Sequence, residues 1–245
     1  MEVIMNRKRF FTSRNIAFLA VLVALVIVLQ TLSTLIGRLG GTPLSLVLIP
    51  VVLGAVMLGP LAGLLLGFVF GLVTAVCGVT GFDAWTFLLF SEEPFWTVAL
   101  CLVKATAAGG AAGLLNYLIA RKNPYAGVIA AALAAPVVNT GIFVAGCFAM
   151  SGAIGNIMAQ SAETASVSLV YYVIILLAGV NFLIEFAINA VASPAVFTVS
   201  RLFVKKRRAP AGAQSREGAE GPSARPLGSV PAAAVNGNER AANEK

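Results

Sequence analysis

Apolar residues along this chain do not alternate with polar ones. They come in long unbroken runs, separated by short stretches of glycine, proline and charge. The runs cover about residues 16–36, 44–58, 61–76, 95–120, 125–150 and 171–203. An apolar run of about 20 residues is the mark of a helix that crosses a bilayer. Lipid leaves the backbone only helices or closed barrels, and the lack of period-2 alternation selects helices. The pattern predicts an all-α integral membrane protein with six transmembrane helices. The second run is short and contains Pro50. Two readings stay open for it, a full span or one arm of a re-entrant pair with the third run.

The breaks between runs are informative in their own right. Gly59-Pro60 marks a tight turn, with Pro60 suited to the first turn of the next helix. Residues 77–94, with Asp83, Trp85, Glu92 and Glu93, read as a longer connection, and 151–166 as a polar connection of small residues. GRLGGTP (37–43) is a turn-rich loop. Beyond residue 204 the apolar period stops, and a tail rich in Ala, Pro, Gly, Ser and charge is expected to be disordered. The expected division is a basic N-terminus (1–14), a six-helix membrane domain (15–204) and a tail (205–245). The first run is too long for a signal-peptide core and is read as a retained span.

Composition strengthens the membrane reading. The chain is 59% hydrophobic and 11% charged, where soluble domains carry about a quarter charged residues. The charges also orient it. Arg7, Lys8, Arg9 and Arg14, then Arg121 and Lys122, then Arg201, Lys205, Lys206, Arg207 and Arg208 share one side of a six-span arrangement. The other side carries Arg38 against Asp83, Glu92, Glu93 and Glu163. The positive-inside rule then puts both termini in the cytoplasm. The net charge of +7 is a topology signal, and no nucleic-acid partner is expected.

The chain has no histidine, which excludes His-based acid–base chemistry, a Ser-His-Asp triad and most catalytic zinc sites. Cys77, Cys101 and Cys147 stand apart in apolar stretches without a C-x-x-C pair and read as small buried hydrophobes. No metal site and no cofactor is expected.

GPLAGLLLGFVFG (59–71) repeats glycine at every fourth position: Gly59, Gly63, Gly67 and Gly71. A phosphate loop needs a lysine and a hydroxyl after the glycines, and neither is present. Four-residue spacing places the glycines on one helix face, continued by Ala75, where a second helix can approach closely. Ala105, Gly109 and Gly113 are a weaker copy on the fourth run.

Polar residues inside membrane spans are costly and face a cavity or a partner. The sixth run carries Asn181, Glu185, Asn189 and Ser193 at i, i+4 spacing, the fourth carries Lys104, and the fifth carries Asn139-Thr140 just after Pro136. At a rise of about 1.5 Å per residue, Lys104 lies about 12 Å below Trp96 and Glu185 about 20 Å below Tyr172. A cavity in the outer half, lined by the fourth, fifth and sixth spans, is the expectation. Structural alternatives stand beside it: snorkelling for Lys104, a helix–helix hydrogen bond for Glu185, and interhelical contacts for Asn139 and Asn181. Trp85, Trp96, Tyr171 and Tyr172 are read as interface anchors ahead of ligand contacts.

These residues resemble a known family. PLSLVLIPVVLGAVMLGPLAGLLLGFVFGL (43–72) is similar to the second and third helices of the S components of energy-coupling factor (ECF) transporters. Those are small six-helix bacterial membrane proteins that capture vitamins and other micronutrients. Ala20-x-x-x-Ala24, with Ala17 one turn earlier, resembles the alanine motif by which S components dock on the transmembrane coupling subunit. APVVNTGIF (135–143) is also similar to this group, and the resemblance covers about residues 12–204.

The resemblance implies a bacterial plasma-membrane subunit with an outward-facing site built from the fourth to sixth helices, and the loop at 37–43 as part of a lid. It implies a transmembrane coupling subunit and two cytoplasmic ATPases as partners, and toppling of the loaded subunit as the transport step. The nearest group includes riboflavin, pantothenate and folate carriers. The tryptophan- and glutamate-rich pattern expected of a thiamine binder is not seen. Lys104 would suit a carboxylate or phosphate on the ligand, and Glu185 with the asparagines would suit hydroxyls or amides. Two other classes compete, a small membrane enzyme and a non-catalytic assembly protein. Against the enzyme stand the missing histidine and the lack of paired carboxylates or a G-x-S-x-G elbow.

Overall fold

A computed structural model describes residues 12–38 and 46–208, with side chains over 12–37 and 46–202. The described residues are helical throughout, joined by short connections and without a strand. In chain order the helices are α1 (Ser13–Arg38), α2 (Leu48–Leu58), α3 (Pro60–Val79), α4 (Ala84–Glu92), α5 (Pro94–Ile119), α6 (Pro124–Ala149), α7 (Ser151–Ala159), α8 (Ala162–Ala165) and α9 (Leu169–Tyr171). A π-helical stretch (Tyr172–Gly179) then leads into α10 (Val180–Arg208).

Five stretches are long and apolar enough to cross a membrane: Ser13–Gly37, Pro60–Val79, Pro94–Ile119, Pro124–Ala149 and Leu169–Leu202. Helix α2 is apolar but has only 11 residues, a rise of about 16 Å, or half a hydrocarbon core. Its Val51, Val52 and Ala55 are fully buried, so α2 lies inside the bundle.

Three of the long helices begin the same way. Pro60, Pro94 and Pro124 each occupy the first helical position of α3, α5 and α6, where a missing N–H removes no bond and φ is already helical. Gly59 sits outside α3, at the corner with α2, with φ of 97°. It turns the chain, whereas Gly63, Gly67 and Gly71 lie on α3 itself.

Those three glycines face α5. A methyl added at Gly63 would strike the carbonyl oxygen of Gly109, one at Gly67 that of Ala105, and one at Gly71 that of Cys101. Gly109 meets Gly63 in return, and Gly113 meets the backbone of Pro60. Backbone therefore packs on backbone along the α3–α5 seam. The main core lies beside it, built from Leu22 and Val26 of α1, Val51 and Val52 of α2, Leu66 and Phe70 of α3, and alanines of α5 and α6.

Two expected connections contain helices. Residues 77–94 include α4, whose N-cap Asp83 accepts from the Thr86 N–H at 3.3 Å and the Thr86 hydroxyl at 2.9 Å. Nine residues make a marginal helix alone; burial of Leu89 and Thr86 holds this one down. Residues 151–166 include α7 and α8, and α7 buries Ile154, Ile157 and Met158. Those three apolar positions at helical spacing outweigh the surrounding Gly, Ser and Asn.

The aromatic anchors also divide. Trp96 and Tyr171 are exposed, but Tyr172 is buried in one cluster with Leu89 and Cys147, and Trp85 turns inward. Arg7, Lys8, Arg9, most of the loop expected at 37–43 and most of the expected tail lie outside the described residues.

Candidate functional site

Each long helix brings polar residues to one place. Near the C-terminal end of α1, Gln30, Ser33 and Thr34 share a face and are buried. Thr74 stands near the end of α3, and Thr97 and Lys104 in the first half of α5. Asn139, Thr140 and Phe143 follow Pro136 on α6. Asn181 and Glu185 open α10.

These side chains line one cavity of about 440 Å³, with α4 contributing Trp85 and Thr86. The volume is in the range that holds a small organic ligand. All four residues singled out from the sequence, Lys104, Asn139, Asn181 and Glu185, line it.

The wall has both aromatic and charged features. The Lys104 ammonium stands 4.8 Å from the centre of the Phe143 ring. Trp85 meets the same ring edge-on at 5.4 Å. On α10, Glu185 is only 2% exposed. Its Oε1 accepts a hydrogen bond from Asn181 Nδ2 at 3.1 Å, and its backbone carbonyl accepts one from Asn189 Nδ2 at 2.8 Å. Asn189 and Ser193 bond to their own helix and do not line the cavity. The polar stripe on α10 thus splits into a cavity-lining half and a self-satisfied half.

Several buried polar atoms in the wall have no hydrogen-bond partner among the described residues: Trp85 Nε1, Asn139 Oδ1 and Asn181 Oδ1. Buried polar atoms are nearly always paired, and each left unpaired costs about 1–3 kcal/mol. All three belong to side chains that line the cavity, although the atoms themselves are closed to solvent. Among the described residues no group of three His, Cys, Asp or Glu gathers to hold a metal.

The sequence reading missed Trp85 and the α1 residues. Gln30, Ser33 and Thr34 carried a usable signal, polar residues at i, i+3 and i+4 in an apolar helix. Trp85 carried none, because an interfacial tryptophan and a cavity tryptophan look alike until α4 is seen to fold inward. Away from the cavity, Ala17, Ala20 and Ala24 lie on the exposed face of α1, opposite buried Leu22 and Val26.

A family model described as the substrate-specific component of ECF transporters matches residues 14–197. The chain belongs to this family. Neither the curated proteins nor the solved structures give a match. The matched span runs from α1 well into α10 and includes every cavity residue named above. The protein is therefore the substrate-binding subunit of an ECF transporter and a multi-pass membrane protein. Membership implies ECF transmembrane and ATPase subunits as partners.

Proposed function

We propose that this subunit captures a vitamin or related micronutrient in the cavity, from outside a bacterial plasma membrane, and delivers it inward with a coupling subunit and two cytoplasmic ATPases. The observation that carries the reading is the convergence of Lys104, Asn139, Asn181 and Glu185 on one cavity. The cavity lies toward the C-terminal end of α1 and the N-terminal half of α5, away from Arg14, Arg121 and Lys122. By the positive-inside rule that is the outer half. In this reading residues 15–204 form six spans, α2 counted as the short one, with basic residues 1–14 and the tail 205–245 in the cytoplasm.

Lys104 pairs with a carboxylate or phosphate on the ligand, while Asn139, Asn181 and Glu185 serve its hydroxyls or amides. The substrate belongs with the riboflavin, pantothenate and folate group. The ridge of Gly63, Gly67 and Gly71 keeps the scaffold stiff. Purification from the native membrane followed by mass spectrometry of bound small molecules tests this. A stoichiometric vitamin-like compound is expected; an empty protein that also takes up none in whole cells would sink the proposal.

Ala17, Ala20 and Ala24 form the docking face toward the coupling subunit. Their small side chains leave a shallow exposed strip on α1 that a partner helix can approach closely. Ala20→Trp or Ala24→Trp is expected to block uptake while leaving substrate affinity within about twofold, because the strip is remote from the cavity wall. Intact uptake in both variants removes the docking assignment.

A further inference from the structure

The head of the last span is π-helical over Tyr172–Gly179, between α9 and α10. A π-helix bonds each N–H five residues back, is rare, and occurs mostly at functional sites. Here the burial pattern follows that wider turn. Tyr172 and Val173 are buried, Ile174, Ile175 and Leu176 are exposed, and the chain turns inward again at half-buried Leu177 and buried Ala178. The inward positions are five residues apart, Tyr172 with Leu177 and Val173 with Ala178. From Leu177 the spacing returns to four, through Asn181, Glu185 and Asn189. The stretch therefore holds one residue more than an α-helix with the same inward face.

Both ends of that face are in use. Tyr172 and Val173 belong to the apolar cluster with Leu89, Cys147 and Ile154, against which Trp85 packs. Leu177, Ala178, Asn181 and Glu185 line the cavity. In an unbroken α-helix each residue turns the chain by about 100°. One surplus residue would then swing Tyr172 and Val173 out of their cluster, or Asn181 and Glu185 off the wall. Gly179 lets the stretch avoid this. A methyl added there would stand 2.9 Å from the Ile174 carbonyl oxygen, a backbone atom five residues back. That is the carbonyl a π turn brings beneath position 179. Alanine there opposes the π turn, and its high helix propensity favours the α form.

We propose that Gly179 is a positioning residue. By permitting the π turn it absorbs the surplus residue and sets the register between the anchor at Tyr172 and the cavity wall at Asn181 and Glu185. Gly179 does not line the cavity itself and acts through the helix it precedes. This inference rests on the cavity being the substrate site.

The test uses the full chain purified in detergent and carrying Trp96→Phe, which leaves Trp85 as its one tryptophan. This parent form is compared with Gly179→Ala, with a deletion of Ile175, and with both changes together. The readouts are Trp85 emission of the empty protein and the Kd for riboflavin, pantothenate and folate. Gly179→Ala is expected to shift the emission. It should also weaken whichever compound binds the parent form by about tenfold or more, the size of a lost buried hydrogen bond. Deleting Ile175, an exposed residue outside the cavity wall, removes the surplus. The deletion should keep the parent emission and a Kd within about threefold, and adding Gly179→Ala to it should cost nothing further.

A Gly179→Ala protein in which either the emission or the Kd is unchanged overturns the inference. So does an equal loss with and without Ile175, since Gly179 then serves stability alone. If Gly179→Ala fails to fold, the deletion decides: retained binding supports the surplus residue, and lost folding or binding overturns it. Binding of none of the three compounds overturns the vitamin-group reading, and the emission across the four forms then decides the register.

Discussion

Gly67→Leu should leave little folded protein, and even Gly67→Ala should lower the melting temperature. Gly67 lies on α3 where an added methyl would strike the backbone carbonyl of Ala105 on α5. A backbone atom cannot rotate away as a side chain can, so the two helices must separate along the seam. Overpacking of this kind costs about 1–3 kcal/mol for small insertions and more for large ones. In a protein of this size each kcal/mol lowers the melting temperature by about 2–4 °C.

The control is Gly141→Ala on α6, where nothing lies within 4 Å of the added methyl. Alanine gains up to about 1 kcal/mol over glycine in helix propensity, so Gly141→Ala should be neutral or stabilising. Thermal unfolding of the two alanine variants side by side separates close approach from propensity. Equal melting temperatures would show that the ridge is not a packing constraint.

The seam was legible in the sequence because it depends only on periodicity. Glycine at every fourth position on one run, and small residues at the same spacing on another, can hardly mean anything but two close helices. The exception is Gly59, which fits the period but serves as the corner before Pro60. Periodicity cannot tell the last residue of a turn from the first of a helix. The long spans were legible for a similar reason, since their length is imposed by the bilayer.

The cavity was legible only in part. Lys104, Asn139, Asn181 and Glu185 stood out because a polar side chain in an apolar run is costly and needs a reason. Trp85 and Leu89 did not, because their placement depends on α4 folding back against the bundle. That depends on tertiary contacts with α3 and α5, and short helices are decided by what they pack against rather than by propensity. Tyr172 was misjudged on the same ground. A tyrosine at the head of a span has two apolar environments to choose from, lipid and core, and the sequence does not rank them.

Lys104→Ala and Glu185→Ala are each expected to reduce ligand-induced thermal stabilisation sharply while leaving the unliganded protein folded. Both side chains line the cavity and neither belongs to the α3–α5 seam. Lys104→Ala forfeits a contact with the Phe143 ring, worth about 0.5–1 kcal/mol where partly exposed. Hydrogen bonds to charged groups contribute about 1.5–3 kcal/mol, so each loss should weaken affinity by about tenfold to a hundredfold. The probe is the compound that co-purifies with the wild type, and the measurement is the melting shift at saturating and sub-saturating concentrations. Unchanged stabilisation in both variants would remove the cavity as the binding site. A loss in Glu185→Ala alone would be more specific: it would mean that the ligand needs no anionic group at the α5 end. The two variants therefore read the two ends of the ligand separately, and the pattern of loss reports its polarity before its identity is known.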